Sequence, residues 1–72
     1  MSEILIREYK RQTAEVLAAI QAHDEASMAL TAEAVRTGRS VSRDVLTARE
    51  TERRILAIRL EVHAGLLVGA LP

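Results

Sequence analysis

The sequence contains no cysteine, no phenylalanine and no tryptophan, and it has one tyrosine among its 72 residues. Without cysteine, neither a disulfide framework nor a thiolate metal site can form. With almost no aromatic rings, the chain lacks the large side chains on which small compact domains usually build a core. The apolar residues that remain are mainly Ala, Leu, Val and Ile, which favour closely spaced helices.

Charge of either sign is not in excess. Ten basic residues balance ten acidic ones, so the net charge is zero with neutral histidines. Nucleic-acid modules of this size are normally basic, because neutralising phosphates supplies most of their affinity. Nucleic acid is therefore not expected as a partner.

Motifs that carry chemistry are also missing. The sequence has no glycine-rich phosphate loop, no nucleophile elbow and no zinc-binding helix motif. Ile20 and Leu60 stand three residues before His23 and His63, so the Glu-x-x-His pattern of di-metal bundles is absent. The polar cluster at 23–25 fits a metal or proton site, or a solvated face or polar layer that fixes helix pairing. We expect no enzyme activity, no metal and no cofactor.

Residues 2–37 and 43–70 are both predicted to be helical. Neither glycine nor proline occurs from position 2 to position 36, and apolar residues recur at helical spacing. Gly38 is placed to end the first helix, and Ser40 or Ser42 can cap the second after a turn at about 38–42. The sequence thus predicts one domain, an all-α antiparallel two-helix hairpin, with one continuous kinked helix as the alternative. With the turn near 39–41, His23 is expected to face the region of Ala57, away from His63.

A hairpin alone cannot bury the apolar residues of the second helix, which form two stripes. An apolar helix face larger than its partner can cover indicates an association site. We expect self-association or a hetero-complex to complete a helical bundle or coiled coil, through the open end of the hairpin. The half near the turn, which includes Arg53, is more polar and is expected to be solvated. The predicted partner interface consists of Leu5, Tyr9, Leu56, Leu60, Val62, Leu66, Leu67 and Leu71.

No membrane span or signal peptide is expected. A span needs about 20 apolar residues, and only 64–71 is free of charged residues and histidine near the carboxyl end. The amino end has neither a basic start nor a long apolar stretch. We expect a cytoplasmic protein.

Two resemblances bear on function. The stretch from Ala34 to Ala48, which contains Gly38, Ser40 and the run Asp44-Val45-Leu46-Thr-Ala, resembles the helix-turn-helix signature of TolC-type outer-membrane efflux channels. The whole chain, in size, central glycine and apolar second helix, resembles small helical-hairpin proteins of type III secretion and flagellar export systems. These include the needle-subunit co-chaperones and the FliE-like rod adaptors.

The second resemblance implies a bacterial chaperone or structural subunit for protein transport, and this is the function we expect. The resemblance to efflux channels implies instead a channel fragment. A third possibility is a small dimeric helical regulator that binds nucleic acid.

Overall fold

A computed structural model describes residues 2–70 of the chain, and the side chains of residues 2–66. Helix α1 runs over Glu3–Thr37 and helix α2 over Arg43–Ala70. The helices pack side by side in a body of 55 × 17 × 11 Å, and the residue numbers of their contacts rise on one helix as they fall on the other. The predicted all-α antiparallel hairpin is confirmed, and the continuous kinked helix is excluded.

In the turn, a glycine ends helix α1 and a serine caps helix α2. Gly38 adopts the left-handed conformation with φ of 70°, and its N–H donates to the Val35 carbonyl while that of Arg39 donates to the Ala34 carbonyl. This pair of bonds is a Schellman motif, which satisfies carbonyls left free at a helix end. Ser42 then accepts from the Val45 N–H at 3.2 Å and caps α2.

Ser40, the other predicted cap, is exposed in the turn, and the structure gives its hydroxyl no capping bond. The amino end of α1 is capped by Ser2, whose hydroxyl accepts from the Leu5 N–H. Sequence reasoning did not single out Ser2, although a serine directly before a run of helix-forming residues is the usual signal for a cap.

The two helices meet along a seam whose positions alternate three and four residues apart, the spacing of a coiled coil. We call it the inner seam. Its residues are half-buried or buried: Tyr9, Thr13, Val16, Ile20, His23, Ser27, Leu30 and Ala34 on α1, and Arg49, Arg53, Leu56, Leu60 and His63 on α2. Only Val16 and His63 are buried among the described side chains.

The register of the hairpin differs from the predicted one. His23 lies against Glu52, and its neighbour Asp24 lies against Arg53, so His23 sits about one helical turn from the expected Ala57. The pairing is centred near the end of α1, whereas the prediction centred it on the middle of the turn. Residues 39–42, which belong to neither helix, carry the chain across to α2.

Candidate interaction surface

The open end of the hairpin is joined by a polar cluster of Tyr9, Thr13 and His63. The rings of Tyr9 and His63 stack with centroids 4.2 Å apart and planes at 12°. Nε2 of His63 lies 2.7 Å from the Thr13 hydroxyl oxygen and 3.2 Å from the Tyr9 carbonyl oxygen. The Thr13 hydroxyl donates to that same carbonyl. Since both oxygens can then accept, we assign the His63 ring proton to Nε2.

A second polar layer lies midway along the hairpin. Nε of Arg53 donates to the Asp24 carboxylate at 3.0 Å. His23 is nearly enclosed, with its ring nitrogens 3.6 Å from an Asp24 oxygen and 3.4 Å from a Glu52 oxygen, although neither contact has hydrogen-bond geometry. His23 and Asp24 therefore lie between the helices, whereas Glu25 is exposed and accepts a hydrogen bond from Gln21 on α1. Arg53, expected to be solvated, is part of this layer.

Three of the exposed apolar residues of α2, Ile55, Ile58 and Val62, belong to a second stripe on the side away from α1. It again follows a spacing of three and four, through Ala48, Thr51, Ile55, Ile58, Val62 and Gly65. We call these six residues the outer stripe, and Leu66 lies at its edge. Ile55 is 58% exposed, Ile58 52% and Val62 60%. A line of large aliphatic side chains this open to water is typical of an association surface.

The predicted interface residues fall into three groups. Tyr9, Leu56 and Leu60 are half-buried in the inner seam, so the hairpin itself uses them. Val62, Leu66 and Leu5 are exposed. The side chain of Leu67 and the whole of Leu71 lie outside the described residues.

Exposed apolar residues are not confined to the open end. Ile4 and Leu5 are exposed there, as expected, but Met28 and Val35 on α1 and Val45 and Leu46 on α2 are also exposed in the half near the turn. Met28 and Val35 are two helical turns apart, and Val45 and Leu46 form one short patch, whereas the outer stripe is continuous over Ile55, Ile58 and Val62. Continuity makes the outer stripe the strongest candidate surface.

A shallow groove of about 350 Å³ runs beside His63 and is lined on α1 by Arg11, Gln12 and Glu15. Arg11 bridges the carboxylates of Glu8 and Glu15. The hydrogen bond from Arg11, aided by one from Gln12, lowers the pKa of Glu8 from 4.5 to about 2. The hydrogen bond to Glu8, together with the charges of Glu15 and Glu8, raises the pKa of Arg11. Arg11 thus holds two carboxylates along α1, and the three side chains together keep a net charge of −1.

Within the described residues, no three His, Asp or Glu side chains are grouped so that they could hold a metal ion. Over the same residues, neither helix has a segment long and apolar enough to cross a bilayer.

Comparison with known proteins finds no matching family, no curated protein and no solved structure of significant similarity.

Proposed function

We propose that this chain is a non-enzymatic interaction module that works by packing the outer stripe against another helical protein chain. The continuous exposure of Ile55, Ile58 and Val62 supports this most directly. Fully burying one such aliphatic side chain is worth about 1.5–3 kcal/mol. Ile55, Ile58 and Val62 are 52–60% exposed in the hairpin. A partner helix that covered all three would therefore gain roughly half of that value for each side chain, which offsets part of the entropic cost of association.

The inner seam gives a second reason. Polar groups occupy it at the His63 cluster and again at the layer of Asp24 and Arg53. Such layers favour one pairing register, but they contribute less free energy than apolar packing. A hairpin of this size without disulfides or metal gains stability from association.

The setting we propose is a bacterial secretion or export assembly, in which the chain serves as a chaperone or a structural subunit. This part of the proposal is supported by the resemblance to the hairpin proteins of those systems in size, central glycine and apolar second helix. It makes the expected partner another helical component of the same assembly.

Site-specific crosslinking in the native cell tests the function. A photoreactive amino acid replaces Val62 in the outer stripe, and in a matched strain it replaces Val35, which is 78% exposed on α1 near the turn. We expect protein adducts at position 62 and few or none at position 35. Equal labelling at the two positions, or no adduct at 62, would contradict the proposal.

Mass spectrometry of the adduct tests the setting. A secretion or export component, or a second copy within such a complex, supports the assignment. An adduct formed only with proteins of unrelated systems would remove the secretion setting and leave the interaction function in place.

A further inference from the structure

We propose that the occupant of the outer stripe is the same stripe of a second copy of this chain, packed antiparallel about a twofold axis. This rests on the proposed function and names its partner. Surface area, the charges that flank the stripe and the absence of a side chain at Gly65 all support it.

The solvent-accessible surface of the chain is larger than that of a compact monomer of the same mass. The chain exposes 5873 Å², whereas a compact monomer of 7.9 kDa exposes about 4,400 Å² by the usual scaling with mass. The excess of roughly 1,500 Å² per chain is more than the ~800 Å² that each partner buries in a standard stable interface. One further hairpin of the same kind can cover that excess.

The charges beside the outer stripe select the direction and register of pairing. Glu52 and Arg59 lie along one edge of the stripe, while Arg54 and Glu61 lie along the other. Antiparallel packing about a twofold axis brings like edges of the two copies together. With Ile55 opposite the partner's Ile58, Glu52 meets the partner's Arg59 and Arg54 meets the partner's Glu61. Symmetry repeats both pairs, so all four contacts between charged residues across the edges join opposite charges.

Other arrangements place like charges together. A shift of one heptad in one direction sets Arg59 against the partner's Arg59 and Glu61 against the partner's Glu61. A shift of one heptad in the other direction sets Glu52 against the partner's Glu52 and Arg54 against the partner's Arg54. In a parallel pair, Arg54 meets the partner's Arg59. The sequence therefore disfavours each neighbouring alternative by repulsion while it supports one register by attraction.

The backbone also permits close approach at the ends of this register. Ala48 lies opposite the partner's Gly65, so a small side chain meets none. A Cβ added at Gly65 would meet no atom within 4 Å in the hairpin, so the hairpin itself does not require glycine there. A glycine within a helix lowers helix stability by about 1 kcal/mol relative to alanine. Close packing of a second copy against Gly65 would explain why glycine occupies this position.

Charge reversal tests the register. Arg54→Glu and Glu61→Arg each convert both symmetric pairs to repulsion, and each should weaken self-association about tenfold or more in sedimentation equilibrium. Mixed together, the two variants form complementary pairs, so the mixture should associate about as tightly as the wild type. Arg39→Glu, an equal change of charge in the turn, should leave association unaltered. Circular dichroism checks that all variants remain helical.

Cysteine pairing tests the direction, and the native chain has no cysteine to interfere. Under mild oxidation, an equimolar mixture of Ala48→Cys and Gly65→Cys should give a disulfide-linked heterodimer, and neither variant alone should give a homodimer. Rapid linkage of Ala48→Cys with itself would overturn the antiparallel arrangement.

Failure of this proposal is distinguishable from failure of the proposed function. A wild-type chain that stays monomeric while its position 62 crosslinks to a different protein would overturn the second copy and keep the interaction module. Variants that fail to recover on mixing would overturn the register proposed here.

Discussion

Thr13 and Thr31 both donate their hydroxyls to the carbonyl one turn earlier, yet only Thr13 also faces a buried histidine. This difference isolates the contact with His63. Thr13→Val keeps the shape of the side chain but removes one of the two acceptors near Nε2, and the Tyr9 carbonyl remains. We expect it to lower the free energy of unfolding by about 1–2 kcal/mol. Thr31→Val, measured in the same urea titration, should lower the free energy of unfolding by less. Equal decreases for the two variants would show that the contact with His63 does not contribute to stability.

The carboxylate of Glu8 gives a second test at single residues. Its pKa lies near 2 because Arg11 donates to it, so Arg11→Ala should raise that pKa towards 4.5. A folded-state pKa below the unfolded value adds stability above pH 4.5, and this contribution is lost as the pH falls towards 2. NMR titration of the Glu8 side-chain carboxyl measures the change. Arg7→Ala, which removes a neighbouring arginine bound to Glu3, should leave the Glu8 titration unaltered.

The start of helix α2 depends on its capping residue. Ser42 caps α2 through the Val45 N–H, and Ser40 is exposed in the turn. Ser42→Ala should therefore lower the free energy of unfolding by about 1 kcal/mol, whereas Ser40→Ala should change it little. Thermal unfolding followed by circular dichroism compares the two variants. If Ser40→Ala lowered the free energy of unfolding more than Ser42→Ala, Ser40 rather than Ser42 would be the cap of α2.

The sequence predicted the helices and the hairpin well because long periodic runs and a Gly–Ser break are local signals. It predicted the inner seam less well. Leu5 and Val35 fit an apolar helical spacing but are exposed, while Thr13, His23 and Ser27 fill seam positions that an apolar pattern does not mark.

The pairing register was wrong by about one turn for a related reason. Which residue of α2 faces His23 depends on the path of residues 39–42 between the helices, and no local sequence pattern encodes that path. The role of Arg53 depends on this register, because only the observed one sets it against Asp24. A three-and-four spacing from Tyr9 to Ala34, read without regard to polarity, would have identified the seam.

For the whole molecule, folding and association are expected to be coupled. Only Val16 and His63 are buried among the described side chains, so the isolated hairpin has little core to hold it folded. When the folded form is a dimer and the unfolded form a monomer, stability depends on chain concentration. The outer stripe then contributes to folding as well as to binding.

Thermal unfolding at several concentrations tests this coupling. A tenfold rise in concentration adds about 1.4 kcal/mol per dimer, and two chains of this length unfold with an entropy of roughly 0.3 kcal/mol/K. The midpoint should therefore rise by about 4–5 °C for each tenfold increase. Val62→Lys places a charge within the outer stripe, so it should lower the midpoint and remove its dependence on concentration. Val35→Lys, the same change at an exposed valine near the turn, should preserve both. A wild-type midpoint that is independent of concentration would show that the hairpin folds by itself, and the excess surface would then need another explanation.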